Sequence, residues 1–227
     1  MSSVHRLGIN LDQIGKTLSR QAVNQESIPF LEQVLTVVSV SGLSKVKRVC
    51  LIPEFLSRLS EEIGKQVSWL HIGGSPVEVA ELHLKAMVHL DESHVEILPF
   101  VPNSEILEIL EAKSGAVFLN ISSSEGVPVS IMEAMASGLA VIATDVGGTK
   151  SIVFEPDNLL LPAEANLNEW TDLASGWLSA TNVSDTASKN SAYAAARFDY
   201  VQNYSAFISH IFGGFISKGS NDPDRPQ

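Results

Sequence analysis

Two glutamates, Glu125 and Glu133, stand with seven residues between them in GAVFLNISSSEGVPVSIMEAMASGLAVIATDVGGTKSIV, the stretch from Gly115 to Val153. Good helix formers fill Val129 to Ser137, with Ile131, Met132, Met135 and Ala136 at helical spacing, so the two carboxylates frame one short helix. Glu125 falls just before its N-terminus, where unpaired amides and the positive dipole end would also attract a ligand phosphate. Glu133 lies just over two turns further on. Both can serve one long ligand only if Glu125 is in the loop and the ligand runs along the helix flank. The plain alternatives are a helix cap at Glu125 and a solvated face at Glu133.

The flanking residues supply the elements that must hold this pair. Ala116 to Ile121 is a short apolar run that fits a buried strand, and Ser122, Ser123 and Ser124 open a loop after it. Pro128 suits a first helical turn, where its missing N–H costs nothing. Gly138 stops the helix, Leu139 to Thr144 reads as a second buried strand, and Asp145-Val146-Gly147-Gly148 makes a turn. In an open parallel sheet, ligands bind at loops leaving the carboxyl ends of strands, and both loops here leave such ends.

The 227 residues are enough for one ordinary domain, and a hydrophobic content of 44% is ample for its core. A net charge of −11 argues against nucleic acid as a partner but leaves room for one local cationic site. The single cysteine, Cys50, excludes an internal disulfide, suits a reducing cytosol and reads as a small hydrophobe with no chemistry of its own. No apolar run reaches spanning length, so the expected location is cytoplasmic, with at most peripheral contact at the inner face of a membrane. The six histidines lack metal spacing and read as surface or packing residues, and no metal site is expected.

Residues 1–33 read as a linker. Val34 to Val40 is β-branched and continuous, as a buried parallel strand would be, and SGLSKVKR is its exit loop. Pro53 predicts that the next helix begins or kinks there, with Phe55, Leu56, Leu59 and Ile63 buried and Gly64 ending it. Val67 to Ile72 is a strand that ends in Gly73-Gly74, which either approaches a ligand or simply makes the turn. Helix is expected over Val77 to Leu90, and strand over Val95 to Leu98. Phe100 follows, as core or as a ligand contact, and then a helix capped by Asn103 or Ser104. Leu159 to Leu161 is the last strand. Asn166 to Leu178 and Asp185 to Phe212 read as helices, the second carrying an aromatic seam from Phe198 to Phe212. Residues 213–227 read as a disordered tail. The fold class is therefore α/β, a doubly wound parallel sheet over residues 34–212.

In one register, the Glu pair, the EGxP turn, the EAMASG helix and the VGG turn resemble the signature of family 4 retaining glycosyltransferases, whose two-domain fold is called GT-B. The wording is most similar to bacterial enzymes that build capsule, exopolysaccharide and O-antigen chains. The resemblance implies a Rossmann-like donor-binding domain, the second half of a GT-B fold, taking a nucleotide diphosphate sugar and no cofactor. By it, Glu133 holds the ribose hydroxyls, Glu125 holds hydroxyls of the transferred sugar, and Lys47 with Arg48 offsets the diphosphate charge. Gly73, Gly74 and Phe100 line the nucleotide, while Gly126, Val127, Pro128, Val129 and Ser130 form the phosphate-facing helix entry. Glu125 and Lys47 act nearest the chemistry. The acceptor, a glycan or lipid-linked saccharide, would be bound by an N-terminal domain or partner chain, so this chain alone should transfer little. A non-catalytic nucleotide-sugar-binding or regulatory module is the alternative. The chain departs from the family pattern at Gly42, where an arginine is usual, and at Pro99, Ala140 and Ser151.

Overall fold

The computed structural model describes Ile9 and residues 34–198. Six strands form one fully parallel sheet: β1 (Val34–Val40), β2 (Gln66–Ile72), β3 (Val95–Leu98), β4 (Val117–Asn120), β5 (Ala140–Thr144) and β6 (Leu159–Leu161), in the order β3-β2-β1-β4-β5-β6. The order reverses between β1 and β4, where Val37 pairs with Trp69 on one side and Val117 on the other. Six helices cover the sheet: α1 (Ile52–Ile63), α2 (Pro76–Ala86), α3 (Asn103–Ala112), α4 (Val129–Ala136), α5 (Leu167–Ala180) and α6 (Val183–Arg197).

Side-chain alternation along the strands feeds two cores. Val38, Leu70, Ile72, Phe118 and Val141 pack with Leu110 of α3, Met132 and Met135 of α4, and Ala194 of α6. On the opposite face Val37, Trp69, Val117, Leu119 and Ile142 pack with Phe55 and Leu59 of α1, Leu82 of α2 and Trp170 of α5. His71 is fully buried on β2 with Nδ1 2.9 Å from Ser39 Oγ; burial pulls its pKa down to about 4, so it packs as a neutral ring.

The strands follow the expected pattern closely, and the differences fall at helix ends and caps. Pro53 does sit in the first turn of α1, after two single-turn 3-10 segments, and Ile52 rather than Ile63 completes its buried face. A capping box between Ser75 and Glu78 starts α2, which ends at Ala86 rather than Leu90 because Met87 to Leu90 close as turns on His83, Lys85 and Ala86 carbonyls. Neither Asn103 nor Ser104 caps α3; Pro102 occupies that position, and the Asn103 amide is used elsewhere. Asn182 caps α6, which starts at Val183, two residues ahead of the expected Asp185, and the helix ends at Arg197 with buried Phe198 after it. Of the linker only Ile9 is described: it is buried in the first core, and its N–H donates to Phe198 O at 2.6 Å. The rest of the linker, the rest of the aromatic seam and the tail lie outside the described residues. Cys50 is exposed on the outer side of the 3-10 turn leading into α1, whose buried residue is its neighbour Val49.

Helix α6 is bolted to the start of β5 by reciprocal amides. Asn158 and Asn190 donate to each other at 2.9 and 2.8 Å, Asn190 Nδ2 donates to Leu139 O at 2.7 Å, and Val141 N donates to Asn158 Oδ1 at 2.9 Å. Asn190→Ala would leave buried groups unpaired and should cost about 2–3 kcal/mol of stability in denaturant unfolding.

Candidate ligand site at the strand-order reversal

The exit loops of β1 and β4 meet where the strand order reverses, the position at which open parallel sheets bind ligands. Ser123 N donates to Val46 O at 2.7 Å, tying one loop to the other. Lys47 Nζ then lies 2.6 Å from Glu125 Oε1, an ion pair whose side chains are 30% and 9% exposed. Asn120 Nδ2 reaches the same oxygen at 3.3 Å, and Asn120 Oδ1 accepts from Ser122 N at 3.1 Å. Burial alone would push the Glu125 carboxyl up. Hydrogen bonds from Lys47, Ser122 and Asn120, with the Lys47 charge, outweigh it and hold the group below the ordinary range. Asn120 was not singled out in the sequence; its only signal is a polar residue closing an apolar strand.

The glycine turn after β5 clamps this loop from behind. Gly148 N donates to Gly126 O at 2.6 Å, and Gly147, at φ 53°, leaves no room for a Cβ against the Glu125 carbonyl. Gly126 and Val127 are exposed, and buried Pro128 is the N-cap of α4 rather than its first helical residue. Its carbonyl accepts from Ile131 and Met132, leaving the amides of Val129 and Ser130 without a partner among the described residues.

Arg48 does not face this site. Its backbone is left-handed, at φ 51° and ψ 23°, which turns the side chain inward. There Nη2 donates to Ser122 O at 2.7 Å, both terminal nitrogens donate to Ala163 O at 3.0 Å, and the guanidinium lies 5.5 Å from the Trp170 ring centre. The planar fork suits bracing two loop carbonyls against an aromatic face, so in this structure Arg48 serves as a strut between loops. Lys45 is exposed and lines a separate hollow with Cys50, Glu81 and Lys85. An added side chain at Gly42 would meet nothing within 4 Å.

Glu133 is 8% exposed on α4 and accepts from Asn103 Nδ2 at 2.9 Å. Burial raises its pKa to about 7, against a smaller downward pull from Asn103. The loop before α3 is anchored in turn by Phe100 N donating to Gly74 O at 2.8 Å. Phe100 is 79% exposed, which rules out the core reading. Gly73 has φ 134°, and a Cβ there would collide with Ser41 O, so close packing of two exit loops accounts for this glycine. The structure thus gathers Lys47, Glu125 and the α4 entry at one place and joins Glu133 to the Gly74–Phe100–Asn103 loop.

A cavity of about 500 Å³ lined by Arg58, Glu164, Asn166 and Glu169 lies away from these residues, and its acidic rim suits no anion. Among the described residues there is no cluster of three or more metal-ligating side chains, and no helix is long and apolar enough to cross a membrane.

Sheet order and site position define a Rossmann-like α/β domain. The chain belongs to the family described as glycosyl transferases group 1, whose model matches residues 21–194, a family of GT-B type. It is 29% identical over 131 residues to a subunit of the phosphatidylinositol N-acetylglucosaminyltransferase of Arabidopsis thaliana, covering 58% of this chain and 28% of that protein. The human protein of the same name is 26% identical over 133 residues, covering 59% and 26%. The chain thus matches about a quarter of the length of these relatives. Among solved structures, a glycosyltransferase from Rickettsia africae superposes with a TM-score of 0.70 at 14% identity, covering 96% of this chain and 58% of that one. Anabaena HepE in complex with UDP and glucose gives 0.67 at 20% identity, covering 91% and 55%. These likenesses carry the fold.

The burial of Glu133 has a sign that can be checked. Between pH of about 4.5 and 7 the unfolded chain loses the Glu133 proton while the folded chain keeps it, so this residue makes stability fall as pH rises through that window. Glu133→Gln keeps an acceptor for Asn103 and cannot ionise. Its stability relative to wild type should rise across the window, by up to roughly 3 kcal/mol, and level off above it in urea titrations at several pH values.

Proposed function

We propose that this domain binds a nucleotide diphosphate sugar as donor for glycosyl transfer with retained anomeric configuration. The observation that carries the reading is the Lys47–Glu125 pair beside two unpartnered α4 amides at the strand-order reversal. In this reading Lys47 and the Val129 and Ser130 amides face the diphosphate, a fixed array of charge and dipoles that would stabilise the leaving group without a metal ion. Ionised Glu125 accepts hydroxyls of the transferred sugar. Glu133 accepts the two ribose hydroxyls, and exposed Phe100, beside the Gly73–Gly74 turn, covers the base.

The acceptor would be bound by a domain outside these residues. The named relatives favour an N-acetylglucosaminyl donor and a phosphatidylinositol acceptor over the capsule, exopolysaccharide and O-antigen chains that the sequence wording suggests. This would bring the protein to a membrane surface by peripheral contact on the cytoplasmic side. With Arg48 committed to the fold and Gly42 bare, the diphosphate would lean on Lys47, so donor affinity should be modest.

Calorimetry with UDP-, GDP- and ADP-linked sugars, UDP-N-acetylglucosamine first, tests this directly. Binding by one base class in about the micromolar-to-millimolar range, weakened about tenfold or more by Glu133→Ala, is expected. Because the ribose-binding form of Glu133 is the carboxylate, affinity should also rise as pH passes through about 7. Absence of binding by the whole panel would refute the reading. Gly42→Arg, which has open space, should tighten the same donor several-fold.

A further inference from the structure

We infer that the Lys47–Glu125 ion pair is a discriminator that sets the domain's preference for an intact nucleotide sugar over the bare nucleoside diphosphate; the inference rests on the donor-site reading above. The groups compete for one another. Lys47 Nζ is 2.6 Å from Glu125 Oε1, and no other acceptor holds that ammonium among the described residues. Both ends are anchored. Lys47 N donates to Ser44 O at 3.0 Å in a loop fastened through Val46 to Ser123, and the Glu125 backbone is wedged against Gly147. A diphosphate must therefore draw Lys47 off Glu125 rather than meet a waiting cation. Among the described residues no neighbouring cation relieves this competition, since Arg48 is bound to the Ser122 and Ala163 carbonyls and Gly42 has no side chain.

What Glu125 gains in exchange depends on the ligand. With a nucleotide sugar, hydroxyl donors replace the ammonium on the carboxylate. With the nucleoside diphosphate alone, the carboxylate keeps only the neutral donors Asn120, at 3.3 Å, and Ser122, and faces an anion across a short distance in a half-buried site. An ionised carboxylate stripped of its partner in such a place is strongly disfavoured. The pair thus penalises the spent diphosphate. After the sugar leaves, Glu125 retakes Lys47 and favours release of the product.

Titrations of UDP and of UDP-N-acetylglucosamine, with the GDP and ADP pairs in parallel, against wild type, Glu125→Gln and Lys47→Ala decide the matter. Glu125→Gln should bind the bare diphosphate roughly fivefold tighter and the nucleotide sugar no tighter, so that the preference narrows or inverts. Lys47→Ala should weaken the diphosphate. Unchanged or weaker diphosphate binding by Glu125→Gln, while Lys47→Ala does weaken it, would overturn the discriminator and leave the donor-site reading intact. If Lys47→Ala has no effect, or no ligand binds wild type, the donor-site reading falls and the inference with it. Thermal melts establish that each variant is folded. Should Glu125→Gln fail to fold, Glu125→Asp, whose shorter arm cannot hold Lys47 at the same distance, should tighten diphosphate binding by a smaller factor, and its failure to do so counts against the discriminator equally.

Discussion

The site depends on the contact between the exit loops of β1 and β4, two segments far apart in sequence that the strand-order reversal brings side by side. Parallel pairing aligns the strands, but it does not by itself hold their loops together. That task falls to the Ser123–Val46 hydrogen bond and to the Arg48 guanidinium, which joins the β1 loop to Ser122 after β4 and Ala163 after β6. Because these carbonyls are satisfied by a cation already packed on Trp170, the loops keep one relative position without a ligand. Lys47, next in sequence to the strut, is thereby aimed at Glu125.

The glutamate just before α4 and the one within it end up chemically unlike, and their neighbours explain why. Glu125 has an ammonium and two further donors, so its charged form is favoured despite burial. Glu133 has one neutral donor, Asn103, and burial wins. One carboxylate is thus held below the ordinary carboxylate range and the other is raised to about 7. Glycines complete the arrangement at a conformational cost, since Gly73 and Gly147 occupy backbone regions that other residues disfavour and leave no space for a Cβ.

The strands, the start of α1 at Pro53 and the helix between the glutamates were legible because hydrophobic period, proline and glycine act locally. The helix ends of α2 and α6, and the cap of α3, were not. Asn103 illustrates the reason: by local rules it should cap its own helix, yet the helix starts one residue early, with Pro102 at the cap, and Asn103 in the first turn donates Nδ2 to a buried carboxylate thirty residues later in the chain. Arg48 is the same lesson for the site. Beside Lys47 in a basic loop it reads as a second phosphate ligand, and only the left-handed backbone at that residue sends it inward. Phe100 offers core as one reading from its residue type alone, and the loop that carries it places it at the surface. Asn120, a lone polar residue at a strand end, carries no pattern that spacing could reveal.

A crystal structure of the chain with its bound nucleotide sugar tests the central claim most directly. The account predicts a phosphate oxygen within hydrogen-bond distance of Lys47 Nζ, sugar hydroxyls on Glu125 in place of that ammonium, and Arg48 still on the Ser122 and Ala163 carbonyls. A diphosphate seated away from Lys47, or one held by Arg48 with the two exit loops drawn apart, would contradict it.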